Sequence, residues 1–125
     1  MPTLTTTTAL DPIDGYSEVD VSYTTTQVTI LGDGSDIIMS LGRVYLPELI
    51  DMLATELARF DATQAAKPSE VYVGTQKRVI TSAGNFAFST SLSSAASTVL
   101  YTTGSSGESL SISHSRDVLA LLQQV

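Results

Sequence analysis

The stretch Val28-Thr29-Ile30-Leu31-Gly32-Asp33-Gly34-Ser35-Asp36-Ile37-Ile38-Met39-Ser40-Leu41 leads into Leu46-Pro47-Glu48-Leu49-Ile50. A similar order recurs further on: Val99-Leu100-Tyr101, the loop Gly104-Ser105-Ser106-Gly107, Leu110-Ser111-Ile112-Ser113, then Arg116-Asp117-Val118-Leu119. Each copy reads as strand, glycine turn, strand, helix. The copies share this pattern while their residue identity is low. Such a unit cannot bury its apolar face alone and needs a companion surface. The expected fold is therefore α+β, with two similar units of antiparallel hairpin or sheet plus helix, strand-strand-helix repeated, and an extended N-terminal arm.

Outward from this repeat, the chain divides into an arm over 1–12, a first sheet-plus-helix unit over 13–62, a connector over 63–69 and a second unit over 70–125. With 125 residues and 42% hydrophobic content there is material for one ordinary core, whereas two separate cores would each be marginal. The units are thus compatible with one compact domain.

The arm Thr3-Leu4-Thr5-Thr6-Thr7-Thr8 favours extended backbone, because β-branched side chains fit a pleated strand. It reads either as a loose tail or as a strand that adds to a neighbouring subunit's sheet, and so orders only in an assembly. From Glu18 onward Val19, Val21 and Tyr23 alternate with polar residues, and Val28 and Ile30, then Ile37, Met39 and Leu41, continue the alternation. Leu46, Leu49, Ile50, Leu53, Leu57 and Phe60 fall on one helical stripe, with Glu48, Asp51, Thr55, Glu56 and Arg59 expected towards water. Pro47 suits the first helical turn.

In the second unit Val71 and Val73, then Val79 and Ile80, are expected to flank Gly74-Thr75-Gln76-Lys77 as a hairpin, followed by Phe86 and Phe88 after a Gly84-Asn85 turn. Ser89 to Thr98 is open between loop, short helix and small-residue strand. Ser115 is the expected cap of a terminal helix lined by Val118, Leu121, Leu122 and Val125.

Composition excludes several functions. A net charge of −7, from 13 acids against 6 bases, disfavours nucleic-acid backbone binding, which needs Lys and Arg to displace counterions. The absence of cysteine removes disulfides, thiolate catalysis and sulfur-ligated metals. Met1-Pro2-Thr3-Leu4-Thr5 has no basic and apolar leader pattern, and no apolar run reaches the roughly 20 residues that cross a bilayer, so a soluble chain without a membrane partner is expected. Its expected place is the cytoplasm, or the virion or host cytoplasm if the chain is viral.

Residues capable of chemistry are few. His114 is the single histidine, expected on the strand face of Leu110 and Ile112 at a rim beside the helix cap. Paired with one of many serines it could act as a hydrolase base. Gly-x-Ser-x-Gly is absent, however, and a hydrolase ranks last among the functions considered. Asp11, Asp14, Glu18 and Asp20 surround Gly15, but the calcium-loop register places Val21 where a bidentate glutamate belongs and Pro12 at a ligand position. These acids read as a solvated turn. The glycine loops lack a following Lys-Ser/Thr and read as turns, not phosphate cradles. Lys77-Arg78 reads as a solvated edge. No catalytic residue, metal or cofactor is assigned.

The candidate contact residues are Thr3, Leu4, Thr5, Thr6, Thr7, Thr8, Tyr16, Tyr45 and Tyr72, since tyrosine buries a large ring while its hydroxyl finds a polar partner. In its threonine arm, Ser/Thr-rich strands, scarce lysine and lack of cysteine, mainly over 1–12 and 81–113, the chain resembles small virion accessory proteins of tailed bacteriophages, the head-decorating or connector subunits. The two strand-strand-helix units depart from the mostly β pattern of such proteins, and no functional residue carries over. The resemblance implies a non-enzymatic structural or assembly protein whose partner is another protein or a second copy of itself. The alternative is a small acidic binding module or inhibitor steered by its charge to a basic host protein.

Overall fold

The computed structural model describes residues 2–7, 10–79 and 87–125. Strands β1 (Thr3–Thr7), β2 (Glu18–Tyr23), β3 (Gln27–Gly32) and β4 (Asp36–Gly42) form one antiparallel sheet in chain order. A 3-10 turn over Arg43–Tyr45 leads into α1 (Leu46–Ala66). Strands β5 (Val73–Val79), β6 (Ala87–Ser93), β7 (Thr98–Thr103) and β8 (Ser106–Ser111) form the second antiparallel sheet, and α2 (Ile112–Leu122) follows it. The α+β fold of two sheet-plus-helix units is thus present, each unit being a four-stranded meander that ends in a helix.

Local chemistry accounts for the elements. Asp33 and Gly34 both take positive φ, 51° and 75°, and Ser35 N–H donates to the Gly32 carbonyl, a tight turn within the three-residue β3–β4 connection. Val19, Val21, Val28 and Ile30 face one side, because β2 and β3 pair with Val21 opposite Ile30 and Tyr23 opposite Val28. Pro47 sits in the first turn of α1, as expected. Helix α1 runs beyond the apolar stripe to Ala66, since Ala62, Ala65 and Ala66 are strong helix formers, and it stops before the Lys67–Pro68 bond that disfavours helical backbone. The irregular connector therefore begins at Lys67, later than position 63.

Three further expectations are corrected. The N-terminal arm is extended, but β1 pairs with β2 of its own chain, Leu4 opposite Val21 and Thr6 opposite Val19, so no neighbour is required to order it. Val73–Val79 is one continuous strand and not a hairpin, and Gly74 lies inside it. Helix α2 starts one turn early, with Ser111 as its cap instead of Ser115. Ser89 to Thr98 resolves into most of β6, a turn and the start of β7. Thr8, Ile80, the Gly84-Asn85 turn and Phe86 lie outside the described residues.

The helices exchange places. α1 follows the first sheet in sequence but packs on β5 and β6 of the second, whereas α2 follows the second sheet and packs on β1 and β2 as well as β7 and β8. The helices also touch each other, and β4 meets β7 and β8. One apolar cluster results, in which Val21, Ile30 and Met39 from the first sheet join Phe88, Leu92 and Leu110 from the second. An 11-residue helix is too short to persist alone. Burial of Val118, Leu121 and Leu122, at about 1.5–3 kcal/mol each, holds α2 in place.

Candidate functional site

The connector between β1 and β2 folds on its own carboxylates. Ile13 N–H donates to Asp11 Oδ1 at 3.0 Å and Tyr16 N–H to Asp14 Oδ1 at 2.9 Å, two successive Asx turns that aim both carboxyl groups at the start of α2. There Asp14 Oδ2 accepts the Ser111 N–H at 2.8 Å and lies 2.6 Å from His114 Nδ1. The Asp14 and His114 side chains are 1% and 2% exposed. Ser111 Oγ accepts the His114 N–H at 3.0 Å, capping the helix, and donates to Asp11, which together with the Ile13 amide holds that carboxyl below its ordinary range. His114 therefore sits in the first turn of α2, buried, and not on a strand rim as expected.

Among the described residues, ligand atoms of Asp11, Asp14 and His114 lie within 4.8 Å of one another. A cation there would have to displace the Ser111 amide from Asp14 Oδ2 and part Asp14 from His114, so the donor set is already spent on the protein. Of the four acids around Gly15, Glu18 and Asp20 do not join this group. Asp20 is buried on β2 and accepts from Thr5 Oγ1 at 2.6 Å; the Glu18 N–H donates to Asp33 Oδ1. Ser111, with its hydroxyl occupied as a cap, is placed as a structural residue.

A second polar tie joins α1 to β5. Glu56, expected towards water, is fully buried and accepts from Tyr72 Oη at 2.5 Å, Gln76 Nε2 at 3.0 Å and Arg59 Nη1 at 3.3 Å. A helical stripe assigns charged residues to solvent and carries no signal of this. Gln76 Nε2 also donates to the Met52 carbonyl, across the gap that Gly74 leaves: a Cβ there would come 1.8 Å from Glu56 Oε2. Burial, then the bond to Glu56, pushes Tyr72 up to about 12.

Tyr16, Tyr45, Thr3 and Thr5 are similarly engaged inside the chain. Tyr16 covers Gly32 and donates to Asp36 Oδ2 at 3.1 Å; burial and that bond push it up to about 12. Tyr45 packs on Phe88 with ring centroids 6.0 Å apart. Thr3 and Thr5 donate across to Ser22 and Asp20 of β2. A groove of about 350 Å³ lined by Pro2, Tyr23, Thr24, Thr25 and Arg43 contains no carboxylate, thiol or imidazole side chain.

What stays open is backbone. Each sheet has two outer strands, β1 and β4 in the first and β5 and β8 in the second, and β4 meets β8. Ser94 N–H donates to the Tyr72 carbonyl, which fixes the alternation: Gly74 and Gln76 point their amides and carbonyls at β6, and Val73, Thr75 and Lys77 point theirs away. No backbone group among the described residues takes up the latter set. On β1 the bond from Tyr23 N–H to the Pro2 carbonyl likewise turns Thr3 and Thr5 outward. Val71 and Val73, 56% and 67% exposed, and the exposed Lys77 and Arg78 line the β5 side.

No helix among the described residues is long and apolar enough to cross a membrane. Comparison with known proteins finds no matching protein family, curated protein or solved structure for this chain.

Proposed function

We propose that this chain is a non-enzymatic structural protein that makes protein–protein contacts through the free edges of its two sheets. The observation that carries this reading is the row of outward amides and carbonyls at Val73, Thr75 and Lys77, a template on which another strand adds by main-chain hydrogen bonds. The groups that could do chemistry support it from the other side. Asp14, His114, Ser111 and Glu56 are engaged in bonds that hold the two halves together.

In its finer form the reading makes the chain a virion accessory subunit of a tailed phage, in keeping with its Thr-rich outer strand, two lysines and absence of cysteine. Sedimentation of the full chain over a concentration series, alone and with purified virus particles, tests both levels. Association that Thr75→Pro removes supports the edge contact, because the Thr75 N–H makes no bond within the sheet. A chain that stays monomeric, binds no particle and shows a hydrolysis abolished by His114→Ala overturns the reading.

A further inference from the structure

Strand β5 differs from an ordinary guarded edge in its charge balance. Of six basic residues in a chain of net charge −7, Arg59 pairs with Glu56, Lys67 with Glu70 and Arg116 with Asp61. Arg43 lies over the Tyr23 ring and donates to the Thr24 carbonyl. Lys77 and Arg78 alone meet no acceptor or ring among the described residues, and both are exposed. The two cations are adjacent, on the strand whose outward backbone groups have no partner among the described residues. We infer that β5 is the docking edge for an extended acidic segment of a partner protein, which adds to the second sheet as an outer strand.

This inference rests on the reading of the chain as a contact protein and specifies its partner. Lys77 shares the outer face with Thr75, Val73 and Val71, while Arg78 points to the opposite face. An antiparallel incoming strand therefore places two consecutive acids opposite Arg78 and Lys77 and apolar residues four and six positions beyond the second acid, opposite Val73 and Val71. A second copy of β5 does not offer this: in a two-fold pairing about Thr75, Lys77 stands opposite Val73. The overall negative charge opposes an acidic partner at long range. At physiological ionic strength that repulsion is screened beyond about 8 Å, so the contact pairs decide the outcome.

The test uses the full chain and the peptide Glu-Glu-Ser-Thr-Ser-Val-Thr-Val, with a control in which both acids are lysine. Binding is read from amide shifts and from slowed hydrogen exchange at Val73, Thr75 and Lys77. The acidic peptide is expected to bind and to protect these three amides, and the lysine control to bind about tenfold more weakly, since each exposed ion pair contributes little but two attractive contacts become two repulsive ones. Lys77→Glu with Arg78→Glu should reverse the preference. Thr75→Pro should abolish binding, and a peptide N-methylated on alternate residues does the same with the chain intact. Equal affinity for both peptides, or protection elsewhere, overturns the inference. So does self-association of Lys77→Ser with Arg78→Ser in the absence of peptide binding, which assigns the cations to guarding the edge. Should the peptide fail while the chain still associates in a way that Thr75→Pro removes, the contact function stands and only the acidic partner falls.

Discussion

Asp14 and His114 stand 100 residues apart in sequence and 2.6 Å apart in space, with their side chains almost wholly buried. The carboxylate belongs to the β1–β2 connector and the imidazole to the first turn of α2, so this contact fastens the entry of the first sheet to the last helix. Because Asp14 also accepts the Ser111 and Tyr16 amides, removing it strands three donors at once. Asp14→Ala should cost about 3–5 kcal/mol. Asp11→Ala, next door but partly exposed, should cost about 1 kcal/mol or less. Urea unfolding of the two variants measures the difference.

The cap gives a titration to follow. Asp11 is held below its ordinary range chiefly by the Ser111 hydroxyl, then by the Ile13 amide. Ser111→Ala should let that carboxyl climb back, read by NMR of its side chain, and should cost about 1 kcal/mol of stability through the lost cap. A depressed carboxyl stabilises the fold above its unfolded value of 3.8, and that contribution is lost as pH falls through the folded value. Ser111→Ala should accordingly flatten the acid limb of the stability curve.

Tyr72 works in the opposite direction. With its phenol raised from 10.0 to about 12, the neutral form is favoured in the folded chain, so its contribution is complete below 10 and disappears as pH rises towards 12. Unfolding at alkaline pH should accompany tyrosinate formation. Tyr72→Phe should remove part of the pH dependence there, at a cost of about 1–3 kcal/mol near neutrality because Glu56 loses a donor.

Gly74 and Glu56 form a testable pair. Gly74→Ala drives a methyl into the Glu56 carboxylate and should cost about 1–3 kcal/mol by overpacking. In a Glu56→Ala background the same change should cost clearly less. A double-mutant cycle by thermal unfolding reads the coupling, and additivity would show that Gly74 is needed for some other reason.

These contacts also mark where the chain's pattern was legible. The Asp33-Gly34 turn, the alternation along β2 and β3 and the start of α1 at Leu46-Pro47 follow from local preferences, and each stands where local preference puts it. A glycine inside a strand looks the same as one that ends it, so Gly74 reads as a turn residue, whereas its role is to make room for Glu56, 18 residues earlier. Ser111 and Ser115 are one helical turn apart and equally suited to capping, and the choice is made by Asp14, which only the folded chain brings there. The threonines of β1 correctly indicate extended backbone. Their strand partner is a long-range property and has no local signature.

The crossing of the helices makes the halves hostages of each other. A cut between Lys67 and Pro68 yields two fragments, each retaining its own meander; the first carries away α1, which packs on β5 and β6, and the second carries away α2, which packs on β1 and β2 as well as on its own β7 and β8. Neither piece can close its oily face in isolation, yet mixed together they hold every part of the native arrangement, so the order of the chain matters less to the finished protein than the simultaneous presence of both segments.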